Sequence, residues 1–272
     1  PNPTVKLGIA DVAKSSLVPN TGRIPRLGDR LPPSLQRLGD AVKFVELTGY
    51  KPDDLLIARV AWAPESKNVF FQALNREQTY LDLNSANLSG KVTKILTETT
   101  PAWVEVYDNP AFQGAGSLFV WQSARNGQRH LYLYNDKGER LVQITNGKWE
   151  VRNLYGVDED GNAYFSANKD GQINENVYRV SINGGEPERI TRGDGWHAVA
   201  FNKDFTHFVE NFSDVMTPVQ VRLFRADGTL VRLINENPAT NLAKYKLSKP
   251  EFLKVNTRDG FEMEAMMIKP PD

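Results

Sequence analysis

Ile144-Thr145-Asn146-Gly147-Lys148-Trp149-Glu150-Val151 decides the reading of the fold, because its parts return along the chain at a steady interval. Ile190-Thr191 and Gly195-Trp196-His197 echo it downstream; Leu96-Thr97 and Trp103 echo it upstream. Two further series run in the same phase: Phe119, Tyr164 and Phe208, then Leu131, Val177 and Val221. All four recur roughly every 45 residues, an interval that marks repeat architectures.

Working outward, each interval holds four short runs of β-branched and aromatic residues, the composition of strands. Leu56 to Trp62, Asn68 to Leu74, Thr79 to Leu83 and Val92 to Leu96 make the first set. Trp103 to Tyr107, Leu118 to Gln122, His130 to Tyr134 and Arg140 to Thr145 make the second. The third is Val151 to Val157, Ala163 to Ala167, Val177 to Ile182 and Glu188 to Thr191. The fourth is His197 to Asn202, His207 to Phe212, Val219 to Arg225 and Leu230 to Ile234. Asn126-Gly127, Asn146-Gly147, Asn183-Gly184, Asp227-Gly228 and Asp259-Gly260 supply tight turns, since Asn, Asp and Gly tolerate positive φ. Helical periodicity is confined to short stretches near Ser34 to Leu38 and Asn241 to Tyr245. The pattern predicts an all-β chain, a partial β-propeller of four-stranded antiparallel blades. A two-sheet sandwich needs strands but not this four-strand interval.

The predicted propeller occupies residues 1–250, with a partial blade near 1–50 and full blades near 51–100, 101–146, 147–193 and 194–238. Thr4 to Ala13 and Ala41 to Leu47 read as the last two strands of the partial blade, giving about four and a half blades. A half blade leaves an open strand edge, which natural chains avoid. The start at Pro1-Asn2-Pro3, without methionine and in mid-blade, therefore predicts an arc cut from a larger propeller.

Composition narrows the function. The 272 residues carry 33 basic and 33 acidic side chains, and a net charge of zero lacks the basic stripe of a nucleic-acid binder. Without cysteine there is no thiolate nucleophile, disulfide or cysteine metal site. No run approaches the roughly 18 apolar residues of a membrane helix, and no signal peptide is read at the start. A nucleophile elbow needs Gly-x-Ser-x-Gly, and Gly116-Ser117-Leu118 does not supply it. His130, His197 and His207 all read as strand residues rather than as a triad histidine. No histidine pair has zinc spacing, and Asp158-Glu159-Asp160-Gly161 is too short for a calcium loop and reads as a solvated turn. No cofactor and no metal are expected. Trp103, Trp149 and Trp196 share one repeat phase, which assigns Trp149 and Trp196 to blade-to-blade packing.

With the motifs in order, a resemblance emerges. Asn2-Pro3-Thr4-Val5-Lys6, Thr99-Thr100 before Trp103-Val104, Phe119-Val120-Trp121-Gln122-Ser123, His130-Leu131-Tyr132-Leu133-Tyr134, Ile144 to Val151, Val177-Tyr178-Arg179-Val180 and Gly195-Trp196-His197 follow one another in register. This series resembles the N-terminal β-propeller of the dipeptidyl peptidase IV family, within the prolyl oligopeptidase superfamily. Glu251-Phe252-Leu253-Lys254-Val255, Asp259-Gly260 and Met267-Ile268-Lys269-Pro270-Pro271 resemble strands that lead to that family's α/β-hydrolase domain, so residues 251–272 are expected to be a linker.

The resemblance implies the propeller part of a serine exopeptidase that removes Xaa-Pro dipeptides from peptide amino termini, inactive by itself. It implies a peptide substrate, an α/β-hydrolase domain on the same chain, a parent that can be a homodimer, and an extracytoplasmic location. It also places Trp103-Val104-Glu105-Val106-Tyr107-Asp108 where the family has a Trp-Val pair followed by an aromatic residue of the outer substrate pocket. Tyr107 matches the aromatic, and Trp103, Tyr107 and Asp108 become the expected substrate-binding residues. The family pattern has arginine after the aromatic; Asp108 here implies an outer subsite of more negative charge. The competing reading is a stand-alone propeller that binds proteins or peptides.

Overall fold

The computed structural model describes residues 4–10 and 42–271. The chain divides into two compact units, Pro1–Asn109 and Pro110–Asp272. The stretch near Ser34 to Leu38, expected to be a short helix, lies outside the described residues.

In the first unit β1 (Gly8–Ala10) pairs antiparallel with β2 (Val42–Phe44). Then β3 (Leu55–Trp62), β4 (Asn68–Asn75), β5 (Tyr80–Asn87) and β6 (Val92–Thr99) form one sheet in sequential order. Ile9 and Val45 pack on Leu55, Val69, Phe71, Ala73 and Ala86, so the two sheets share one core. The turn from β5 to β6 closes against β2: Gly90 has φ +90, and a Cβ there would lie 2.3 Å from the Phe44 carbonyl oxygen. Only glycine gives both the positive φ and the close approach.

The second unit repeats this plan three times. β7 (Ala111–Gln113), β8 (Leu118–Ser123), β9 (His130–Asn135) and β10 (Arg140–Gln143) form the first sheet. β11 (Val151–Val157), β12 (Asn162–Ala167), β13 (Asn176–Ser181) and β14 (Glu188–Arg189) form the second. β15 (Trp196–Phe201), β16 (His207–Ser213), β17 (Gln220–Arg225) and β18 (Leu230–Asn235) form the third. A 3₁₀ helix (Thr240–Lys244) then leads to the hairpin of β19 (Glu251–Asn256) and β20 (Glu262–Met267). Each four-stranded sheet is a blade, and the fold is all-β, a partial β-propeller.

Strand alternation explains how consecutive blades of this unit stack. On β12, Phe165 joins Val120, Leu131, Leu133 and Trp149 on one side. Its neighbour Tyr164 joins Phe208, Phe224 and Val177 on the other. Successive side chains point to opposite faces, so one strand fills two interfaces. The repeated Ile-Thr pair has a repeated job. Ile144 N–H donates to the Leu131 carbonyl at 2.8 Å, and Leu131 N–H donates to the Thr145 hydroxyl at 2.9 Å. Ile190 N–H donates to Val177 at 2.9 Å, and Val177 N–H donates to the Thr191 hydroxyl at 3.0 Å. Both isoleucines and both threonines are buried.

Two expectations are corrected. No strand forms over Trp103 to Tyr107; the next strand begins at Ala111, because residues 101–110 leave β6 as a connection outside any ladder. The tryptophans also part company. Trp149 is buried, stacked on Phe165 at 6.2 Å with its edge against His130 at 5.1 Å. Trp196 is the first residue of β15 and is 55% exposed, beside an open groove of about 420 Å³ that it shares with Ile173, Val215 and Phe252. It is not a blade-packing residue; equal spacing in sequence put it at a strand start, whereas Trp149 precedes its strand.

Gly228, in the β17–β18 turn, plays the part of Gly90: its φ is +80, and a Cβ would lie 2.4 Å from the Ile190 carbonyl oxygen. Gly127 has φ +90 but open space around it. Positive φ costs a non-glycine residue about 1–3 kcal/mol. Gly228→Ala should therefore lower the thermal midpoint by several degrees more than Gly127→Ala, as read by circular dichroism. Equal shifts would contradict the close packing.

Candidate functional site

The expected substrate-binding residues sit on the connection that follows β6. Its start is tied back to the sheet: Thr100 N–H donates to the Thr79 carbonyl at 3.2 Å, and Val104 N–H to the Gln78 carbonyl at 2.7 Å. Val104 is buried, whereas Trp103 is 58% exposed. Tyr107 is half-buried and Asp108 is exposed. Gln72 of β4 reaches up to this segment, its Nε2 donating to the Tyr107 carbonyl at 3.3 Å and the Asp108 carbonyl at 3.2 Å. Arg59, the β3 partner of Gln72 in register, brings Nε to 4.0 Å from Asp108 Oδ1. Asp108 thus has a guanidinium from β3 beside it, which offsets its charge. Both groups are substantially exposed, so the pair adds about 0–1 kcal/mol to stability. Trp103, Tyr107 and Asp108 share this one connection, and the arrangement offers rings and a charge pair for contact rather than groups for bond making.

Gln72 is the residue that the sequence reading passed over. It interrupts the apolar run Val69-Phe70-Phe71 and Ala73-Leu74, and a buried amide in such a run signals a bonded partner.

The histidines are occupied. His130 is buried, with Nδ1 3.1 Å from the Thr145 hydroxyl and Nε2 3.2 Å from the Gly147 carbonyl. His197 and Glu210 are sealed from solvent, with Nδ1 2.7 Å from Oε1, and His197 Nε2 lies 3.2 Å from the Gly193 carbonyl. Arg222 lies on Phe212 at 4.0 Å and places Nη1 3.5 Å from the second Glu210 oxygen. Both ring nitrogens of this histidine are engaged, and the pair is closed to a peptide. His207 is exposed, with Nδ1 3.1 Å from the Thr206 hydroxyl. Among the described residues, no group of three His, Cys, Asp or Glu side chains is placed to hold a metal ion.

Comparison with known proteins bears on this geometry. The family model "Dipeptidyl peptidase IV (DPP IV) N-terminal region" matches residues 1–219. Dipeptidyl peptidase 4 of Arthroderma otae is 26% identical over 240 residues, covering 84% of this chain and 31% of that protein. A crystal structure of Porphyromonas gingivalis dipeptidyl peptidase 4 superposes with a TM-score of 0.77 at 26% identity, over 85% of this chain and 33% of that one. A putative dipeptidyl aminopeptidase IV from Bacteroides ovatus shares the fold, with a TM-score of 0.73 at 18% identity over 99% of this chain and 42% of that one. The chain spans about a third of the length of the curated relatives it matches.

Burial of His130 disfavours its cation and lowers its pKa from the ordinary 6.5. In the unfolded chain the ring protonates first as pH falls. Its contribution to stability is therefore complete above pH 6.5 and is lost as pH falls through the folded-state value. Between pH 7.5 and 5.5 the wild-type thermal midpoint should fall further than that of His130→Gln. Equal falls would show that His130 is not the group responsible.

Proposed function

Because the chain belongs to the dipeptidyl peptidase IV N-terminal-region family, we propose that it is the propeller portion of a serine exopeptidase that releases Xaa-Pro dipeptides from peptide amino termini. The propeller walls the reaction chamber, limits the size of the peptides admitted and lines part of the outer subsite. Acyl transfer itself, with a serine nucleophile, a histidine base and an oxyanion hole, belongs to an α/β-hydrolase domain of the same parent chain. On this reading the propeller runs through about residue 250, with full blades near 51–100, 101–146, 147–193 and 194–238. The β19–β20 hairpin within 251–272 leads toward the hydrolase domain. The parent is extracytoplasmic and can pair with a second copy.

The observation that carries the reading is the Tyr107–Asp108 segment. It lies outside any strand, is pinned at Val104 and by Gln72, and carries a half-buried ring next to exposed Trp103 and Asp108. Loops on a rigid scaffold are where binding residues concentrate. A tyrosine ring offers a flat apolar face for a peptide side chain and a hydroxyl for a polar partner. The Arg59–Asp108 pair beside it gives the rim of the subsite a polar, charge-balanced edge.

Two outcomes follow. In the full-length enzyme, Tyr107→Ala should lower kcat/KM by an amount worth about 1–3 kcal/mol, the scale for losing one apolar subsite contact. An unchanged specificity constant would place Tyr107 outside the substrate site. The chain by itself should not hydrolyse Gly-Pro or Ala-Pro chromogenic substrates; turnover abolished by a serine-reactive inhibitor would overturn the division of labour.

A further inference from the structure

Gln72 is fully buried in the middle of β4, flanked by Phe71 and Ala73. A carboxamide in such a place is costly unless its donors are used. Both are used, and both go to one short stretch: the carbonyl oxygens of Tyr107 and Asp108, at 3.3 and 3.2 Å. Bonds from a single nitrogen to two consecutive carbonyls constrain the two peptide planes that meet at the Asp108 Cα. The first of these planes also carries the Tyr107 Cα, so it limits the Cα–Cβ direction of Tyr107. The orientation of the amide is unambiguous. Reversing it would set Oε1 against two carbonyl oxygens, whereas in the observed orientation Oε1 has no hydrogen-bond partner among the described residues.

Arg59 supports the same segment from the neighbouring strand, at the position that faces Gln72 in the ladder. Its contact with Asp108 is 4.0 Å long and exposed, so it can steer the side chain but holds the backbone weakly. Val104 supplies the other fixed point, through its bond to Gln78 and its burial. A rigid strand, β4, thus constrains the main chain of the connection that follows β6.

We propose that Gln72 is a positioning residue for the outer substrate subsite: it touches no substrate and acts by aiming Tyr107. This rests on the reading of Tyr107 given above. Its consequence is a selective one. Substrates with a bulky apolar first residue need the ring in place, and those with glycine there do not. Loss of Gln72 should therefore change the preference between substrates, chiefly through KM, rather than activity as a whole.

The test uses the full-length enzyme and two chromogenic substrates, Leu-Pro and Gly-Pro nitroanilides. Gln72→Met removes both donors without burying a charge, and Gln72→Glu keeps the shape while turning the donors into acceptors. The ratio of the two specificity constants is independent of how much of each preparation is folded. The expected result is a fall of roughly ten-fold in that ratio for Gln72→Met, carried by KM, with a larger fall for Gln72→Glu. In a Tyr107→Ala background, Gln72→Met should add nothing, because the two residues act as one unit. Equal losses on both substrates, or effects that multiply in the double variant, would overturn the inference while Tyr107→Ala still shifts the ratio. If Tyr107→Ala itself leaves the ratio unchanged, the reading of Tyr107 falls and the inference falls with it.

Discussion

A buried threonine hydroxyl that accepts the leading N–H of a strand is the contact on which the repeat turns. Thr145 and Thr191 each hold the start of the third strand of their blade, at Leu131 and Val177, just where the chain leaves that blade for the next. An unmet N–H at that buried place would cost about 1–3 kcal/mol. The preceding isoleucine completes the clasp with its own N–H and fills the interface with its side chain. The first blade varies the device: its fourth strand stays paired to Thr99, and the Thr97 hydroxyl donates to Asp82 at 2.5 Å. That longer pairing is followed by a longer exit, and the candidate site lies on it.

Functional shape here is a matter of how the chain leaves a blade. The exits after β10 and β14 are short and soon re-enter a strand, at Val151 and Trp196. The exit after β6 runs outside any strand through residues 101–110 before β7. Backbone groups released from a ladder still need partners, and Gln72, Gln78 and Thr79 provide several from the sheet beneath. A segment held in this way carries Trp103, Tyr107 and Asp108 on a main chain tied to the sheet. The sealed His197–Glu210 pair shows the opposite design. Two groups with catalytic chemistry are spent on joining β15 to β16.

The fold was legible in the sequence because one strand period and one blade period govern most side chains. Phe119, Tyr164 and Phe208 recur because each is a buried residue of its blade's second strand; β8 and β12 are buried on both faces, β16 on one. Legibility failed where the period was kept but the geometry was not. Trp103 and Trp196 occupy the phase of Trp149, yet one lies on an exit outside any strand and the other opens a strand beside a groove. Counting residues cannot register that an exit has lengthened. Tyr107 and Asp108 could be named from their motif. Their anchor could not, since Gln72 lies far back in the chain and meets them only through backbone carbonyls, which leave no trace in the residue types at 107 and 108.

On the proposed reading, the exit after the first full blade presents Tyr107 to the peptide. It is tested most directly by a crystal structure of the full-length parent enzyme with a bound peptide inhibitor carrying a bulky first residue. The Tyr107 ring should then lie within about 4.5 Å of that side chain, with Gln72 still donating to the carbonyls of residues 107 and 108. A ring packed wholly against its own blade, with the inhibitor's first side chain lodged elsewhere, would contradict it.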